Sequence, residues 1–349
     1  MTDVFLVTGG SGFIGSEAVR QLISLGYKVF NIDKLTYASS QESLSDLKSP
    51  NYNFFQGDIC NKDDLFNVIN LSKPNYVLNF AAESHVDRSI DNPDDFIKTN
   101  ILGTYCLLES CLDYWSGISK NAKQNFKFVH VSTDEVYGSL KIGDSPFSES
   151  SSYLPNSPYS ASKASSDMLV RSWNRTYGLP INITHSSNNY GPWQYPEKLI
   201  PLVLTRIINE RSIPVYGDGK NIRDWVHVSD NVDAIINVAL NGKSGEVFNI
   251  GGESEVNNID LVKNICMIMD KRLARKNGNY SDLIELVQDR PGHDFRYAIN
   301  ISKIKNHLSW EPKINLQTGL EQSIDWMLKN EKWITKNSNT DQRLGLTKN

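Results

Sequence analysis

Three glycines spaced three residues apart near the start of the chain restrict its fold more than any other feature. Gly9, Gly12 and Gly15 follow an apolar run at residues 4 to 9 and open a segment with helical periodicity. Glycine at such a junction allows a tight turn and close approach of the backbone to a diphosphate, which the free N–H groups of the helix N-terminus stabilise. Asp33 ends the next apolar run, 18 residues after Gly15, near the roughly 20 residues expected for a ribose-binding acid. Because such an acid repels a 2′-phosphate, the pattern predicts a site for NAD rather than NADP.

Short apolar runs alternate with helix-length segments through the first half of the chain. The runs lie at residues 4 to 9, 28 to 33, 53 to 59, 76 to 82 and 126 to 133. Regular alternation of strand and helix predicts βαβ units on a parallel sheet. Two later runs, at residues 181 to 188 and 245 to 252, have the same character. We therefore expect an α/β fold, a Rossmann-type doubly wound parallel sheet with a smaller, interleaved C-terminal substrate-binding lobe.

The chain is expected to divide into two lobes that interleave. Residues 1–187 form the predicted NAD-binding domain, to which residues 224–252 return, and residues 188–349 form mainly the substrate lobe. Prolines are concentrated at the start of this second part, where strand and helix lengths become irregular. The polar segment after Trp333 is expected to fray.

Composition narrows the classes of partner. The 349 residues are 39% hydrophobic and carry a net charge of -4, which argues against a disordered chain, a nucleic-acid scaffold and a nucleic-acid partner. No apolar stretch approaches the ~18 residues of a membrane helix, and the N-terminal residues lack the pattern of a signal peptide. Four scattered cysteines favour a reduced, cytoplasmic protein. The six histidines have no paired spacing that predicts a metal site.

Tyr159 and Lys163 are candidate catalytic residues. They lie four residues apart in a segment with helical character after Pro158, so both side chains share one helix face. An unperturbed tyrosine has a pKa of about 10, and a neighbouring cation favours its phenolate. Together with Ser132 and Thr133 at a predicted strand end, this pair predicts a base that removes a hydroxyl proton during hydride transfer.

Two adjacent carboxylates, Asp134 and Glu135, follow the same predicted strand, at the edge where parallel-sheet sites form. A turn with solvated surface charge is the alternative for this pair. Beside a tyrosine–lysine pair, a carboxylate pair suits elimination of water, which needs one protonated acid and one ionised base. Partial burial and a like-charged neighbour separate two such pKa values.

These elements resemble the extended short-chain dehydrogenase/reductase family and, within it, the dTDP-glucose 4,6-dehydratases. The resemblance runs nearly from end to end, and its most specific part is the Thr-Asp-Glu triplet at residues 133 to 135. The matching segments are TGGSGFIGS (8–16), NIDKLTYA (31–38), GDI (57–59), AAESHVDRSI (81–90), STDEVYG (132–138), YSASKASSD (159–167), NNYGP (188–192), PEKLIP (196–201), PVYGDG (214–219), RDWVHV (223–228) and DRPGHDFRYAI (289–299).

The resemblance implies a catalytic role for each of five residues. Tyr159 would take the proton of the glucose C4 hydroxyl, Thr133 would hydrogen-bond the C4 oxygen, and Lys163 would hold the ribose. Glu135 would remove the C5 proton, and protonated Asp134 would expel the C6 hydroxyl as water. The product would be dTDP-4-keto-6-deoxyglucose, a precursor in deoxysugar biosynthesis such as that of dTDP-rhamnose. NAD would remain bound and be regenerated in each turnover.

The same resemblance implies the binding residues. Those for the cofactor are Gly9, Gly12, Phe13, Ile14, Gly15, Asp33, Lys34, Asp58, Ile59, Ala81, Ala82, Thr99, Tyr159, Lys163 and Asn189. Those for the substrate dTDP-glucose are Ser84, Thr133, Asn188, Lys198, Leu199, Pro214, Val215, Tyr216, Arg223, Asn258, Arg290 and His293. Three of these have structural alternatives: Asp58 as a turn acid, Arg223 as a surface partner of Asp224, and His293 as a loop residue.

Other functions remain open at the level of sequence. Another nucleotide-sugar enzyme of this fold, a UDP-glucose 4,6-dehydratase, a 4-epimerase or a UDP-glucuronate decarboxylase, is the nearest alternative. The carboxylate pair disfavours the last two. A non-catalytic NAD-binding regulatory protein is an alternative of another class. Segments 93–114 and 159–177 carry apolar residues on more than one helical face, and the resemblance implies a homodimer through a four-helix bundle of such segments.

Overall fold

Seven parallel strands form the central sheet of this computed structural model, which describes residues 2–338 of the chain. The strands of the whole structure are β1 (Val4–Thr8), β2 (Lys28–Asp33), β3 (Tyr52–Gln56), β4 (Tyr76–Asn79), β5 (Lys127–Thr133), β6 (Ile181–Ser186), β7 (Asn188–Tyr190), β8 (Ile213–Tyr216), β9 (Ile222–His227), β10 (Val247–Ile250), β11 (Glu255–Asn257) and β12 (Ile284–Val287). The order in the large sheet is β10-β6-β5-β4-β1-β2-β3. The predicted Rossmann-type α/β fold is therefore confirmed.

Thirteen α-helical segments accompany these strands in residues 2–338. They are α1 (Phe13–Ser24), α2 (Lys62–Ser72), α3 (Val86–Asp91), α4 (Asp94–Phe96), α5 (Thr104–Gly117), α6 (Lys120–Gln124), α7 (Pro158–Tyr177), α8 (Leu199–Ile208), α9 (Val228–Asn241), α10 (Asn258–Arg272), α11 (Ser302–Leu308), α12 (Leu316–Lys329) and α13 (Glu331–Asn337). A π-helical turn, Ile97–Gly103, joins α4 to α5. In the part of the chain that is described, no helix is both long and apolar enough to cross a membrane.

Alternating side chains of the strands build a core on each face of the large sheet. On β1, Phe5 and Val7 pack in one cluster with α1, α9 and α11, whereas Leu6 packs in the other with α2, α5 and α7. This alternation follows from the two-residue period of a strand. Strand order reverses at β1, which lies between β2 and β4. The crevice outside the carboxyl ends of these strands is where ligands bind in such sheets.

The smaller lobe has its own sheets and core. Strands β11, β9 and β7 form a three-stranded sheet, and β12 pairs in parallel with β8. Helices α8, α10, α12 and α13 enclose a separate apolar cluster around them. Residues 224–227 belong to β9 of this lobe, and the chain returns to the large sheet through α9 and β10. Residues 339–349 of the predicted substrate lobe lie outside the described residues.

The expectation of fraying after Trp333 is wrong for the residues that follow it directly. Residues 331–337 form α13, in which Trp333 and Ile334 are buried in the core of the smaller lobe. Trp333 Nε1 also donates a 3.1 Å hydrogen bond to Ser40 Oγ of the first lobe. The polar composition of the segment indicated a tail, but the two apolar side chains at its start are sufficient to fix α13 on the core. The part of the predicted tail beyond residue 338 lies outside the described residues.

Candidate active site

One cavity of 490 Å³ lies between the carboxyl edge of the large sheet and the smaller lobe. Every cofactor-site, substrate-site and catalytic residue predicted from the sequence lies on its wall. These residues come from strand ends, from the first turn of α1, from α7 and from loops of the smaller lobe. The structure thus brings the whole predicted set together, while the role of each residue stays a prediction.

The glycine turn leaves no room for side chains at the start of α1. Gly9 has φ of +67°, and a Cβ there would lie 2.8 Å from the backbone of Ala81. A Cβ on Gly15 would lie 2.2 Å from the Gly9 carbonyl oxygen. Gly12 is the N-cap and supplies no side-chain hydrogen bond to the helix. The first N–H groups of α1 are therefore left for a ligand, as a diphosphate requires.

Asp33 is held in a fixed position at the end of β2. Its carboxylate accepts hydrogen bonds from Ser11 N at 2.9 Å, from Leu35 N at 2.8 Å and from Ser39 Oγ at 2.9 Å. These three donors come from the glycine turn and from the loop after β2. They orient the carboxylate at the cavity wall, which suits an acceptor for ribose hydroxyls.

Lys34, the cation beside Asp33, is occupied by other groups. Its Nζ donates to Thr99 Oγ1 at 3.2 Å and lies 3.9 Å from Asp58 and 4.0 Å from Glu83. The ammonium charge is offset by two carboxylates, so it is not a free partner for a 2′-phosphate. This arrangement fits NAD better than NADP.

The tyrosine–lysine pair is placed by the start of α7. Ser157 forms a reciprocal capping box there, and Pro158 occupies the first helical position, where its missing N–H costs nothing. Tyr159 and Lys163 are both buried on the face towards β5. Lys163 Nζ donates a 2.8 Å hydrogen bond to Val131 O, and burial lowers the pKa of Lys163 to about 8.

The surroundings of Tyr159 oppose the sequence-based expectation that the neighbouring lysine favours its phenolate. Burial, followed by the charge of Glu135, raises the pKa of Tyr159, and a hydrogen bond with Thr133 opposes the rise. The neighbouring cation therefore does not outweigh burial. A further positive charge near the Tyr159 hydroxyl, such as that of an oxidised nicotinamide ring, would favour the phenolate.

The two carboxylates have different surroundings. Asp134 is 2% exposed, and burial followed by the charge of Glu135 raises its pKa well above the usual value. Burial also raises the pKa of Glu135, but Arg290, Arg223 and Lys198 oppose that rise. Asp134 is therefore the group that keeps its proton, and Glu135 is the group that ionises more readily. The alternative of a solvated surface turn is wrong because Asp134 is buried.

Arg223 is part of the wall and not a surface ion pair. Its guanidinium donates to Asp294 O at 2.9 Å and lies 4.2 Å from the centre of the Tyr297 ring. Asp224 faces elsewhere and accepts hydrogen bonds from backbone N–H groups, including Ser254 N at 2.6 Å. The alternative in which Arg223 pairs with Asp224 at the surface is therefore wrong.

Other predicted residues, Asn189 of the cofactor set and Lys198, Asn258 and His293 of the substrate set, present polar groups at the cavity. Lys198 Nζ donates to Ser84 O at 2.8 Å. Within residues 2–338, the Oδ1 atoms of Asn189 and Asn258 are buried without a hydrogen-bond partner, as side chains that bind a ligand often are. His293 Nδ1 lies 2.6 Å from Asp289 Oδ1, and burial, followed by Arg290 and Arg223, lowers the pKa of His293 to about 4. A histidine with this pKa is neutral at pH 7.

Sequence reasoning missed several residues of the wall. Asp58 lines the cavity, and its Oδ1 also accepts a hydrogen bond from Cys60 N at 2.9 Å within its own turn. Its position is therefore compatible both with a cofactor-site residue and with a turn acid. Three segments already matched as motifs, AAESHVDRSI, PEKLIP and DRPGHDFRYAI, were the signal for five of these residues: Glu83, His85, Asp87, Glu197 and Tyr297. The missed residues with charged, imidazole, amide or phenolic side chains are Glu83, His85, Asp87, Gln194, Tyr195, Glu197, Arg206 and Tyr297, and the missed hydroxyl side chains are those of Thr36, Ser39, Ser186 and Ser187.

The fold and the site define an extended short-chain dehydrogenase/reductase, a Rossmann-type enzyme with a tyrosine–lysine pair beside a dinucleotide cavity. Within that class the chain belongs to the family described as GDP-mannose 4,6 dehydratase, whose model matches residues 6–323. The resemblance found in the sequence is thereby confirmed.

Individual relatives agree with this placement. The dTDP-glucose 4,6-dehydratase of Escherichia coli is 49% identical over 98% of this chain and 99% of its own. The dTDP-glucose 4,6-dehydratase of Bacillus anthracis, solved in complex with NAD, has a TM-score of 0.84 and 43% identity over 95% of this chain and 98% of its own. The corresponding enzyme of Streptomyces venezuelae, solved with NAD and a second ligand, has a TM-score of 0.86 and 41% identity over the same shares of the two chains.

Proposed function

We propose that the protein is a dTDP-glucose 4,6-dehydratase, an NAD-dependent hydro-lyase that forms dTDP-4-keto-6-deoxyglucose and water. The observation that carries the proposal is the pair of unlike carboxylates in one cavity with Tyr159. Asp134 is buried and keeps its proton, whereas Glu135 faces three cationic side chains. Relatives with this activity match the chain over nearly its whole length.

The residues that line the cavity at the carboxyl ends of β1 and β2 fit NAD. The free N–H groups of α1 would receive the diphosphate, Asp33 the adenine-side ribose, and Lys163 the nicotinamide-side ribose. Bound NAD supplies reversible hydride acceptance, taking hydride from C4 and returning it at C6 of the sugar. The buried Asn189 Oδ1 without a partner in residues 2–338 lies on the same wall.

The side chains then divide the proton transfers. Tyr159 removes the proton of the C4 hydroxyl, while Thr133 hydrogen-bonds the C4 oxygen. The ketone formed at C4 makes the C5 proton acidic, and Glu135 removes it. Asp134 donates its proton to the C6 hydroxyl, which leaves as water. Glu135 finally returns a proton to C5.

The buried acid favours this reaction over that of a 4-epimerase, which breaks no C–O bond and needs no proton donor at C6. It also favours turnover over a purely regulatory role, since burial of a carboxyl oxygen without a hydrogen-bond partner in residues 2–338 costs stability and a protein without turnover has no use for that acid. The preference for thymine over uracil rests on residues 214–216 and on the relatives.

A mass-spectrometric assay tests the proposal. Purified protein is incubated with dTDP-glucose and, separately, with UDP-glucose, and the products are examined for the loss of one water. We expect loss with dTDP-glucose, without added NAD if the cofactor stays bound. Loss from UDP-glucose alone, or retention of all substrate in the presence of added NAD, would contradict the proposal.

We further propose that the enzyme is a homodimer that assembles through α5 and α7. These helices pack on each other, with Trp173 Nε1 donating to Glu109 Oε1 at 3.1 Å. Large apolar side chains beside this contact remain about half exposed: Ile97, Leu102, Met168 and Tyr177. A second copy of the same pair of helices would cover them as a four-helix bundle. The scattered thiols and the reaction suit a cytoplasmic enzyme of deoxysugar synthesis, for example that of dTDP-rhamnose.

A further inference from the structure

One buried carboxylate holds two of the predicted substrate residues. Asp87 Oδ1 accepts a 2.8 Å hydrogen bond from Arg290 Nη1, and Asp87 Oδ2 accepts a 2.9 Å hydrogen bond from the Tyr216 hydroxyl. Asp87 is 7% exposed, and all three residues line the cavity. The two oxygens of a single side chain therefore connect groups that are far apart in the sequence.

The three residues reach this point from both lobes. Asp87 lies in the first turn of α3, just beyond the carboxyl end of β4. Tyr216 ends β8 and pairs in parallel register with Val287, the last residue of β12. Arg290 follows three residues after Val287, so both partners emerge from the same end of the two-stranded sheet. Asp87 thus anchors that end to the first lobe.

The charges around Asp87 explain why an anion is needed there. The positive charge of Arg290 repels those of Arg223 and Lys198, and this repulsion acts to lower the pKa of each. Burial acts to raise the pKa of Asp87, but the Arg290 charge and the hydrogen bonds from its partners hold it below its usual value. Asp87 is therefore ionised and offsets the repulsion within this cationic group before any substrate anion is present.

Arg290 retains capacity for a ligand in this arrangement. Its Nε is buried and has no hydrogen-bond partner within residues 2–338, although its Nη1 is bound to Asp87. A guanidinium fixed on one side and unsatisfied on the other is oriented to bind phosphate oxygens. The Tyr216 ring is fixed by the same carboxylate, and the family resemblance implies that Pro214, Val215 and Tyr216 surround the thymine base.

We propose that Asp87 is a positioning residue that sets the affinity for the nucleoside diphosphate part of the substrate by holding Arg290 and Tyr216 in place before binding. The proposal rests on the proposed function, which places the nucleotide at residues 214–216. Preorganisation of this kind lowers the entropic cost of binding. In the described residues the Asp87 carboxylate is hydrogen-bonded to Arg290 and Tyr216 and to none of the five predicted catalytic residues, so we expect its effect in KM and in the affinity for dTDP itself.

The test compares Asp87→Asn and Tyr216→Phe with the wild type. KM and kcat are measured with dTDP-glucose, and the Kd of dTDP is measured by calorimetry. For Asp87→Asn we expect KM and Kd to rise together by about 10- to 100-fold, as for a lost charge-assisted hydrogen bond. The value of kcat should stay within about threefold, since only binding shared by ground state and transition state is lost. Tyr216→Phe removes one of the two bonds and should give a smaller rise.

A double-mutant cycle and a surface control complete the experiment. If the two side chains act as a unit, the double variant should raise KM by less than the product of the single effects. Glu255→Gln removes the charge of a carboxylate that forms an exposed ion pair with Arg296, away from the cavity. This variant should leave KM, kcat and the Kd of dTDP unchanged. Tyr216→Phe keeps the test decisive if Asp87→Asn does not fold, as judged by circular dichroism.

The measurements distinguish a failure of the positioning role from a failure of the proposed function. An unchanged Kd for dTDP in Asp87→Asn and in Tyr216→Phe, or a loss confined to kcat, would overturn the positioning role. Failure of the wild-type protein to bind dTDP or to dehydrate dTDP-glucose would instead remove the proposed function on which the role rests.

Discussion

Replacement of Asp134 by asparagine should separate oxidation of the sugar from the loss of water. Asparagine has nearly the same size, so packing at this 2% exposed position is retained. The amide has no proton of suitable acidity to give to the C6 hydroxyl. Asp134 Oδ2 is buried without a hydrogen-bond partner in residues 2–338, so this oxygen is available to a ligand. Oxidation at C4, for which we propose Tyr159 as the base, does not require this proton.

The size of the effect follows from the role of a general acid. Such a group contributes about 10²- to 10⁴-fold to a rate, or about 3 to 5 kcal/mol of barrier. In a single-turnover reaction of NAD-loaded Asp134→Asn with dTDP-glucose, the absorbance of reduced nicotinamide should accumulate while the dehydrated product forms slowly. Asp233→Asn, an exposed position paired with Lys313, should behave as the wild type. Water loss from Asp134→Asn at the wild-type rate would refute the assignment of the acid.

Three further outcomes are expected. Gly15→Ala places a Cβ 2.2 Å from the Gly9 carbonyl oxygen, so we expect the variant to lose bound NAD on gel filtration. The loss would appear as a lower ratio of nucleotide absorbance to protein absorbance, and full retention of NAD would contradict the close-packing argument. The pH profile of kcat should be bell-shaped: burial raises the pKa of Glu135, so activity falls as pH drops through that raised value, and activity falls again as pH rises through the raised pKa of Asp134. A profile that is flat through both limbs would refute the division of roles. Met168→Glu puts a charge on the exposed face of α7 and should shift the molar mass measured by light scattering towards the monomer, whereas an unchanged mass would exclude this face as the interface.

Local sequence signals predicted the parts of the fold that depend on neighbouring residues. The bounds of β2 matched its apolar run because the continuous burial of five residues and the closing Asp33 are encoded within six residues. The helix that carries Tyr159 and Lys163 was visible because its cap, its proline and its spacing are all local. The motif resemblance then supplied further residues of the cavity wall, although it did not single out Glu83, Asp87 or Glu197.

Contacts between distant segments were beyond such reasoning. The sequence does not show that Lys34 meets both Asp58 and Glu83, because the three lie on separate loops that only the sheet brings together. The shared anchor at Asp87 is formed across 203 residues of chain in its bond with Arg290. The raised pKa of Tyr159 likewise depends on burial by the assembled lobes.

The return of the chain to the large sheet limits how this protein can be divided or recombined. β10 completes the edge beside β6, and α9 covers the same core as α1. A gene cut after residue 187 would yield a product with an unpaired strand edge and an uncovered apolar surface, both of which promote aggregation. The second half would carry a strand and a helix with nothing to pack against. The two lobes therefore form one folding unit, so we expect a loop exchanged with a relative to be tolerated better than a whole exchanged lobe.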